Sequence, residues 1–230
     1  MLSFLAMPPE LTASVEDYLK AIYDLELSGP AATTTDIAQR LAVAPASVTG
    51  MARRLAQQGL ITHEPYRGIT LTEAGRHVAL RTLRRHRVLE AYLVHALRYS
   101  WDSVHVEAER LEHAVSDELI DRMAETIGEP IVDPHGAPIP ARDGTIDETR
   151  HPSLADIATG SRTKVLRVTD EDPEMLQYLA RLGLVPGAEI IVTARAPFEG
   201  PITLKVGTAR RVIGPAVAAH VIVAQPREPG

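Results

Sequence analysis

Apolar residues recur at helical spacing through the first part of the chain. From Leu11 to Leu27 they occupy positions 11, 15, 18, 19, 22 and 25, which is the period of one helix face. Thr33-Thr34-Thr35 offers N-caps for a short second helix, and a third is predicted from near Pro45 to Gly59. The small residues Ala42-Val43-Ala44 form the turn between the second and third helices. This order is typical of a helix-turn-helix.

Two strand-like segments follow the third helix. Leu60 to His63 and Ile69 to Thr72 have β-type composition and are joined by Glu64-Pro65-Tyr66-Arg67-Gly68. Thr72 is expected to cap a long helix that begins at Glu73 and runs toward Leu97. Helix, short helix, turn, helix and hairpin together predict a winged helix-turn-helix, with a generic small helical domain as the alternative.

The pattern of residues changes in the second half of the chain. Val104 to Ile127 is again helical in pattern, and 128–152 holds five prolines and three glycines, which indicates a linker or an extended, ordered connection. After Ser153, short β-branched segments alternate with Gly and Pro, and a helix is predicted at Pro173 to Leu182. This pattern predicts a small, partly open β-barrel. The predicted strands are Val165–Val168, Glu189–Thr193, Ile202–Val206, Arg211–Ile213 and His220–Val223.

Composition removes several classes of function. The chain has no cysteine, which excludes disulfides, thiolate zinc sites, iron–sulfur clusters and cysteine nucleophiles. No apolar run approaches the roughly 18 residues that span a bilayer. Met1 to Pro9 carries no basic residue ahead of its short apolar stretch, so it does not resemble a signal peptide. We therefore expect a cytoplasmic protein with no membrane contact.

Charge is distributed unevenly along the chain. The net charge is −6, yet 34–87 contains nine basic and three acidic residues and is therefore net positive by six. A basic segment within an acidic protein is the pattern expected for a site that binds a polyanion. A solvated arginine-rich helix is the alternative that charge alone leaves open.

Candidate metal ligands concentrate after Trp101. His105, Glu109, Glu112 and His113 lie at i, i+4, i+7 and i+8, so one helix face would carry two imidazoles and two carboxylates. His86 and Glu90 form an i, i+4 pair on the long helix, and six nitrogen and oxygen donors would converge if the two helices packed together. The alternative is a solvated charged face, or buried carboxylates that are compensated by Arg110.

Several sequence strings resemble the diphtheria-toxin-repressor family of metal-dependent regulators, and most of all its manganese transport regulator branch. The resemblance spans nearly the whole chain. The strings are Glu16-Asp17-Tyr18-Leu19, Leu71-Thr72-Glu73-Ala74-Gly75-Arg76, Arg85-His86-Arg87, Glu112-His113-Ala114-Val115-Ser116-Asp117-Glu118, Pro134-His135-Gly136-Ala137-Pro138-Ile139-Pro140 and Leu184-Val185-Pro186-Gly187.

The resemblance implies an α+β fold of three domains. A winged helix-turn-helix DNA-binding domain would occupy 1–76 and an all-helical metal-binding and dimerisation domain with a Pro-rich connection 77–150. A small β-barrel of the FeoA/SH3-like type would occupy 151–230. The implied function is repression of metal-uptake genes rather than catalysis.

The resemblance also implies two metal sites. The primary site falls on Asp17, Glu109, Glu112 and His113, and the ancillary site on His86, Glu90 and His105, with Asp172 as a barrel ligand. The positions of Asp17 and Glu109 hold Met and Cys in the iron-regulated branch, and carboxylates there favour Mn²⁺, with Fe²⁺ second. Lys20 replaces a glutamate of the manganese branch, which removes one ligand. Asp17 has an alternative role, as a helix-capping carboxylate three residues after Ser14.

The implied partner is double-stranded operator DNA, bound by a homodimer. The resemblance assigns phosphate contacts to Ser47, Thr49 and Arg54, and we add Arg53 and the wing residue Arg67 as candidates. Gly50 occupies the family's principal base-reading position, so we expect readout through DNA shape, apolar contacts and half-site spacing. The operator should be palindromic, because a two-fold dimer presents two recognition helices.

Three other functions remain open at this point. The nearest is an iron-dependent repressor of the same family. Paired carboxylates and histidines on helices also build di-metal enzymes. A DNA-binding dimer that senses an organic ligand without metal is the third.

Overall fold

The structure, a computed structural model, describes residues 11–29, 31–64, 68–169 and 172–226. It divides into two units, of which the first is the chain up to Arg84 together with Arg142–Gly144. The second unit is Arg85–Ala141 together with the chain from Thr145 onward, so it holds both helical and barrel segments. The proposed boundaries at 76/77 and 150/151 stay a prediction. No helix among the described residues is long and apolar enough to cross a membrane.

Local capping explains the helices of the first unit. Thr33 accepts a hydrogen bond from the Asp36 amide at 3.1 Å, and the Asp36 carboxylate accepts one from the Thr33 amide at 3.2 Å. Pro45 lies at the first helical position of the third helix, and Ala42 takes a positive φ of 52° in the turn. The elements are α1 Ala13–Ser28, α2 Thr34–Arg40, α3 Pro45–Gln57, β1 Ile61–Glu64 and β2 Gly68–Leu71.

The hairpin and the start of the next helix pack tightly in the first unit. Strands β1 and β2 are antiparallel, with Ile61 opposite Leu71. Thr72 caps α4, Glu73–Leu97, by accepting a hydrogen bond from the Gly75 amide at 3.1 Å. A Cβ at Gly75 would lie 1.9 Å from the Leu60 carbonyl oxygen, so only glycine permits this approach. The predicted winged helix-turn-helix is confirmed.

In the second unit the expected helix Val104 to Ile127 is wrong as a single element. It consists of α5 Val104–Leu111 and α6 Asp117–Thr126. The break has a local cause: the Ser116 hydroxyl accepts a hydrogen bond from the Leu119 amide at 3.2 Å and caps α6. Glu112 is therefore the C-cap of α5, and His113 lies in the turn that follows. The helical core comprises Val88, Leu89, Ala91, Ala108, Ile120, Ala124 and Ile139.

The Pro-rich connection is ordered around a tight turn, which we call the 133–138 loop. The Asp133 carboxylate accepts hydrogen bonds from the amides of His135 and Ala137, at 2.8 and 2.9 Å. Val132 and Pro138 form an isolated antiparallel bridge. The extended, ordered alternative is thus correct for this part of 128–152.

The barrel is a five-stranded antiparallel sheet in the order β6-β5-β4-β3-β7. Gly183, at φ 77°, ends the helix within it. The predicted strands and helix are present, and a short helix and a 3-10 turn add to them. Its elements are a 3-10 turn Leu154–Asp156, β3 Arg162–Val168, α7 Pro173–Leu182, β4 Glu189–Arg195, β5 Ile202–Val206, β6 Ala209–Ile213, α8 Pro215–Ala219 and β7 Val221–Val223.

Candidate metal centre

The His86–Glu90 pair of α4 is buried in the second unit. Only 5% of His86 and 2% of Glu90 is exposed. One oxygen of Glu90, Oε1, lies 3.0 Å from His86 Nε2 and 3.1 Å from His105 Nδ1. These two imidazole nitrogens are themselves 3.1 Å apart. Two ring nitrogens and a carboxylate oxygen thus converge on one point, which is the geometry of a ligand set.

Three further predicted ligands lie beside this pair. Glu112 is fully buried, with Oε2 2.5 Å from His86 Nδ1 and Oε1 3.3 Å from His113 Nε2. Glu109 Oε1 lies 3.5 Å from His86 Nδ1 and 3.9 Å from His105 Nε2. One ligand atom each of His86, His105 and Glu109 fits within 4.8 Å of the others. The break after α5 therefore does not disperse these donors.

Neither of the two alternatives, a solvated charged face or compensation by Arg110, describes this cluster. A solvated charged face does not fit Glu90 and Glu112, because both are buried. Arg110 does not compensate them: its side chain is 71% exposed and lies 3.5 Å from Glu107.

The sequence interpretation missed two members of the cluster, Asp133 and His135. Both are buried, at 7% and 8% exposure, and His135 Nδ1 lies 3.5 Å from Glu90 Oε2. One ligand atom each of Glu90, Asp133 and His135 lies within 4.8 Å of the others. We call these three residues the buried trio. The Asp-Pro-His string overlaps one of those that carry the family resemblance. Its carboxylate and imidazole, two residues apart, are the signal in the sequence that could have identified these two residues as ligands.

The 133–138 loop fixes the orientation of both side chains. His135 Nε2 is 2.7 Å from the Trp101 carbonyl oxygen, and because a carbonyl only accepts, Nε2 donates. The other ring nitrogen, Nδ1, therefore faces Glu90. Arg87 donates to the Pro138 carbonyl at 2.5 Å, and its Nε lies 3.6 Å from Asp133 Oδ2. A backbone carbonyl that holds the second nitrogen of a histidine is a common support for a metal ligand.

Electrostatics in the pocket favour added positive charge. Burial raises the pKa of Glu90, but hydrogen bonds from His105, His135 and His86 outweigh it and hold that pKa well below its usual range. Burial and the charge of Glu90 raise the pKa of Asp133. Burial alone would lower the pKa of His135, yet the hydrogen bond and charge of Glu90 raise it.

The donor chemistry fits a divalent cation. Glu90, Glu112 and Asp133 are buried carboxylates, with the partly exposed Glu109 beside them, and burying carboxylates without compensation is costly. The donors in this part of the structure are oxygens and imidazole nitrogens, which suit Mn²⁺ or Fe²⁺.

The two remaining predicted ligands, Asp172 and Asp17, lie on other elements of the chain. Asp172 is the N-cap of α7, where it accepts a hydrogen bond from the Glu174 amide at 2.8 Å, and it belongs to neither cluster described above. Asp17 lies on α1 in the first unit. Its alternative role in a cap with Ser14 is wrong, because α1 begins at Ala13 and Thr12 occupies the N-cap position. The ligand roles of Asp17 and Asp172 stay predictions.

The predicted DNA contacts of α3 share one property, which is exposure. Ser47, Thr49, Arg53 and Arg54 are exposed, while Val48, Ala52 and Leu55 are buried. A Cβ at Gly50 would meet no atom within 4 Å, so packing does not require glycine there. The wing candidate Arg67 lies outside the described residues.

Sequence comparison covers nearly the whole chain. Residues 10–69 match the iron dependent repressor N-terminal DNA binding domain, and 72–141 match the iron dependent repressor metal binding and dimerisation domain. Residues 153–225 match the FeoA domain.

Individual relatives agree with these matches. The iron-dependent repressor IdeR of Mycobacterium tuberculosis is 30% identical over 225 residues, which is 93% of this chain and 97% of that protein. The diphtheria toxin repressor of Corynebacterium efficiens is 30% identical over 191 residues, covering 79% and 83% of the two chains.

Solved structures of the same kind superpose closely. A manganese-dependent transcriptional repressor in complex with manganese has a TM-score of 0.84 at 38% identity, over 91% of this chain and 99% of that one. The manganese-activated repressor ScaR, in its apo form, has a TM-score of 0.79 at 31% identity, over 91% and 99% of the chains. Such proteins repress transcription and are not enzymes, so the di-metal enzyme and the metal-independent sensor are both wrong. This chain belongs to the family of iron-dependent and diphtheria toxin repressors and is a metal-dependent transcriptional repressor.

Proposed function

We propose that this protein is a manganese-activated repressor that binds palindromic operator DNA as a homodimer and controls metal-uptake genes. The observation that carries this proposal is the buried, sulfur-free cluster around His86 and Glu90. A buried cluster rich in carboxylates is costly without a cation and is stabilised by one. A transcriptional repressor with such a cluster has a direct way of sensing metal.

Manganese is favoured over iron by the donor set. Oxygen donors at Glu109, Glu112 and Asp133 suit a hard cation, whereas sulfur ligands are absent from the described cluster. Both solved structures described above are named for manganese, while the similar IdeR of Mycobacterium tuberculosis is named for iron. Iron is therefore the second candidate, and promoter binding at matched Mn²⁺ and Fe²⁺ concentrations separates the two.

We assign the ligands to two centres. Asp17, Glu109, Glu112 and His113 form the primary centre, and the place of Asp17 in it rests on the family resemblance. His86, Glu90 and His105 form the ancillary centre, with Asp172 as its candidate from the barrel. The buried trio adds Asp133 and His135 on the other side of Glu90. A bound metal supplies positive charge that compensates the carboxylates and ties their segments together.

Two other surfaces would bind the two partners, operator DNA and a second copy of the chain. Operator phosphates would contact Ser47, Thr49, Arg53 and Arg54, with Arg67 on the wing. A second copy of the chain would cover the exposed apolar side chains of the helical segment. These are Leu97, Tyr99, Val106, Leu119, Ile131 and Val132.

Metal binding would be coupled to DNA binding through a shift in the population of protein conformations. In the primary centre that the family resemblance implies, a metal held by Asp17 and by the turn after α5 would restrain the DNA-binding segment and favour its DNA-competent arrangement. The coupling required is about 1–3 kcal/mol, or roughly 5–150-fold in DNA affinity.

The test is operator binding by the full chain with and without Mn²⁺, for the wild type and for Asp17→Ala. We expect Mn²⁺ to tighten binding by the wild type and to have little effect on Asp17→Ala. Asp24→Ala is the matched control, because Asp24 lies on the same helix and pairs with Arg40 at 3.1 Å. Equal affinities for the wild type with and without metal would refute the proposal.

A further inference from the structure

Trp101, the single tryptophan of the chain, lies between α4 and α5 beside His135. Its carbonyl oxygen accepts the hydrogen bond from His135 Nε2 at 2.7 Å. Its ring centroid is 5.4 Å from that of His135, with 33° between the planes. The same tryptophan packs against the barrel core. One residue thus contacts a candidate ligand on one side and the barrel on the other.

The barrel reaches His135 by a second route. Val168, in β3, donates its amide hydrogen to the His135 carbonyl at 2.9 Å. A Cβ at Gly136 would lie 2.0 Å from the Leu166 carbonyl oxygen, so the loop backbone packs directly on β3. Gln177, on α7, donates to Asp102 at 2.7 Å, next to Trp101. The segments that carry Trp101 and His135 are therefore both held by the barrel.

We propose that Trp101 is a positioning residue for His135, and that through Trp101 and β3 the barrel couples its own docking to metal binding at the buried trio. This inference rests on the proposed function, because it takes Glu90, Asp133 and His135 as metal ligands. It assigns the barrel a role that requires no ligand from Asp172.

The coupling follows from linkage. The Trp101 carbonyl and ring favour one orientation of the His135 ring, and a metal held by His135 Nδ1 would favour the same one. Whatever favours the docked barrel then also favours the bound metal, and the two effects are equal by thermodynamic necessity. Supports of metal ligands typically change metal affinity by about 10–100-fold when they are removed.

The experiment uses the full chain and Mn²⁺ as the probe. Free Mn²⁺ is measured by electron paramagnetic resonance during a titration, and Trp101 fluorescence is followed in parallel for the wild type and His135→Ala. Trp101→Leu removes the aromatic ring, and Trp101→Phe restores one. Phe198→Ser is the matched barrel control, because Phe198 is fully exposed at the turn between β4 and β5.

We expect Mn²⁺ to change Trp101 fluorescence in the wild type and to change it much less in His135→Ala. Trp101→Leu should weaken one class of Mn²⁺ site by at least roughly tenfold, while Trp101→Phe and Phe198→Ser stay within a few-fold of the wild type. In the wild type, Mn²⁺ should also slow hydrogen exchange of the β3 amides, and Trp101→Leu should lose this effect of metal. A merely structural loss would speed exchange equally with and without Mn²⁺.

The outcomes separate this inference from the function beneath it. If His135→Ala binds Mn²⁺ as the wild type does, the trio is not a metal site and the inference fails, while the proposed function still rests on the primary centre. If the wild type itself binds no Mn²⁺, both fail. If His135 matters but Trp101→Leu binds Mn²⁺ normally, the inference alone is overturned. Should Trp101→Leu fail to fold, Gln177→Ala takes its place, and unchanged Mn²⁺ affinity and unchanged metal-dependent exchange there overturn the inference.

Discussion

The recognition helix α3 and the cluster around Glu90 differ in the exposure of their polar side chains. On α3 the polar residues are exposed, and apolar Val48, Ala52 and Leu55 face inward. In the cluster Glu90 and Glu112 are buried, and imidazoles and a guanidinium surround the acids. Exposed polar side chains lose little solvation free energy on folding and remain available to a partner. Buried carboxylates lose their solvation and need a counter-charge within the protein. The contrast separates the proposed DNA-binding surface from the proposed metal centre.

The largest effect should come from removing a buried ligand. Glu112→Gln keeps the size of the side chain but removes the charge that faces His86 and His113. We expect the Mn²⁺-dependent gain in operator affinity, roughly 5–150-fold, to disappear in an equilibrium binding assay. Glu107→Gln is the control on α5, where Glu107 only pairs with exposed Arg110 among the contacts described. A full metal response in Glu112→Gln would argue against a ligand role.

A smaller loss of DNA affinity is expected from a substitution on the exposed face of α3. Arg54→Ala removes a proposed phosphate contact, so it should weaken binding to operator and random DNA alike. The slope of log affinity against log salt should become shallower by about one. Mn²⁺ binding should be unchanged, since Arg54 lies on α3. Gln57→Ala, on the same helix, serves as the control, and a loss confined to the operator would instead indicate base readout.

Near neutral pH, the free energy of unfolding should depend on pH with opposite signs in the metal-free and the Mn²⁺-bound protein. The pKa of His135 is raised, so the folded, metal-free protein retains a proton that the unfolded chain has released. Its free energy of unfolding should fall as pH rises from about 6.5 through the folded pKa of His135. Mn²⁺ requires neutral histidines, so the stabilisation by metal should grow over the same range and fade toward pH 6.

Chemical denaturation with and without Mn²⁺ measures both trends. His135→Gln should flatten the metal-free trend. Parallel pH dependences for the two metal states would contradict this account of the pocket.

The smallest effect is predicted at Gly50. Glycine within a helix costs about 0.5–1 kcal/mol relative to alanine, and a Cβ there would meet nothing within 4 Å. Gly50→Ala should therefore raise the free energy of unfolding by about that amount in a denaturant titration. Metal affinity should stay the same, and a destabilised variant would show that this position is more constrained than its open surroundings indicate.

Sequence predicted what local chemistry decides. The Thr33–Asp36 capping box, Pro45 and Gly183 mark helix ends by rules that act over a few residues, and the structure follows them. The proximity of His105 and Glu109 on α5 was predictable for the same reason, because residues four apart lie on one face of a helix.

The sequence interpretation missed one local signal and one tertiary contact. The period of apolar residues continues across 112–116, yet the local Ser116 cap starts a new helix there. His135 approaches Glu90 from 45 positions away, and its orientation depends on a backbone carbonyl, which leaves no mark in residue identity. A turn that folds back onto a distant helix cannot be recognised from spacing alone.

Anomalous diffraction at the manganese absorption edge, from crystals of the full chain grown with Mn²⁺, shows directly whether the buried cluster holds metal. We expect anomalous density within coordination distance of the His86, Glu90 and Glu112 side chains. Anomalous density only at exposed acidic residues, and none at this cluster, would show that the cluster is not a metal site.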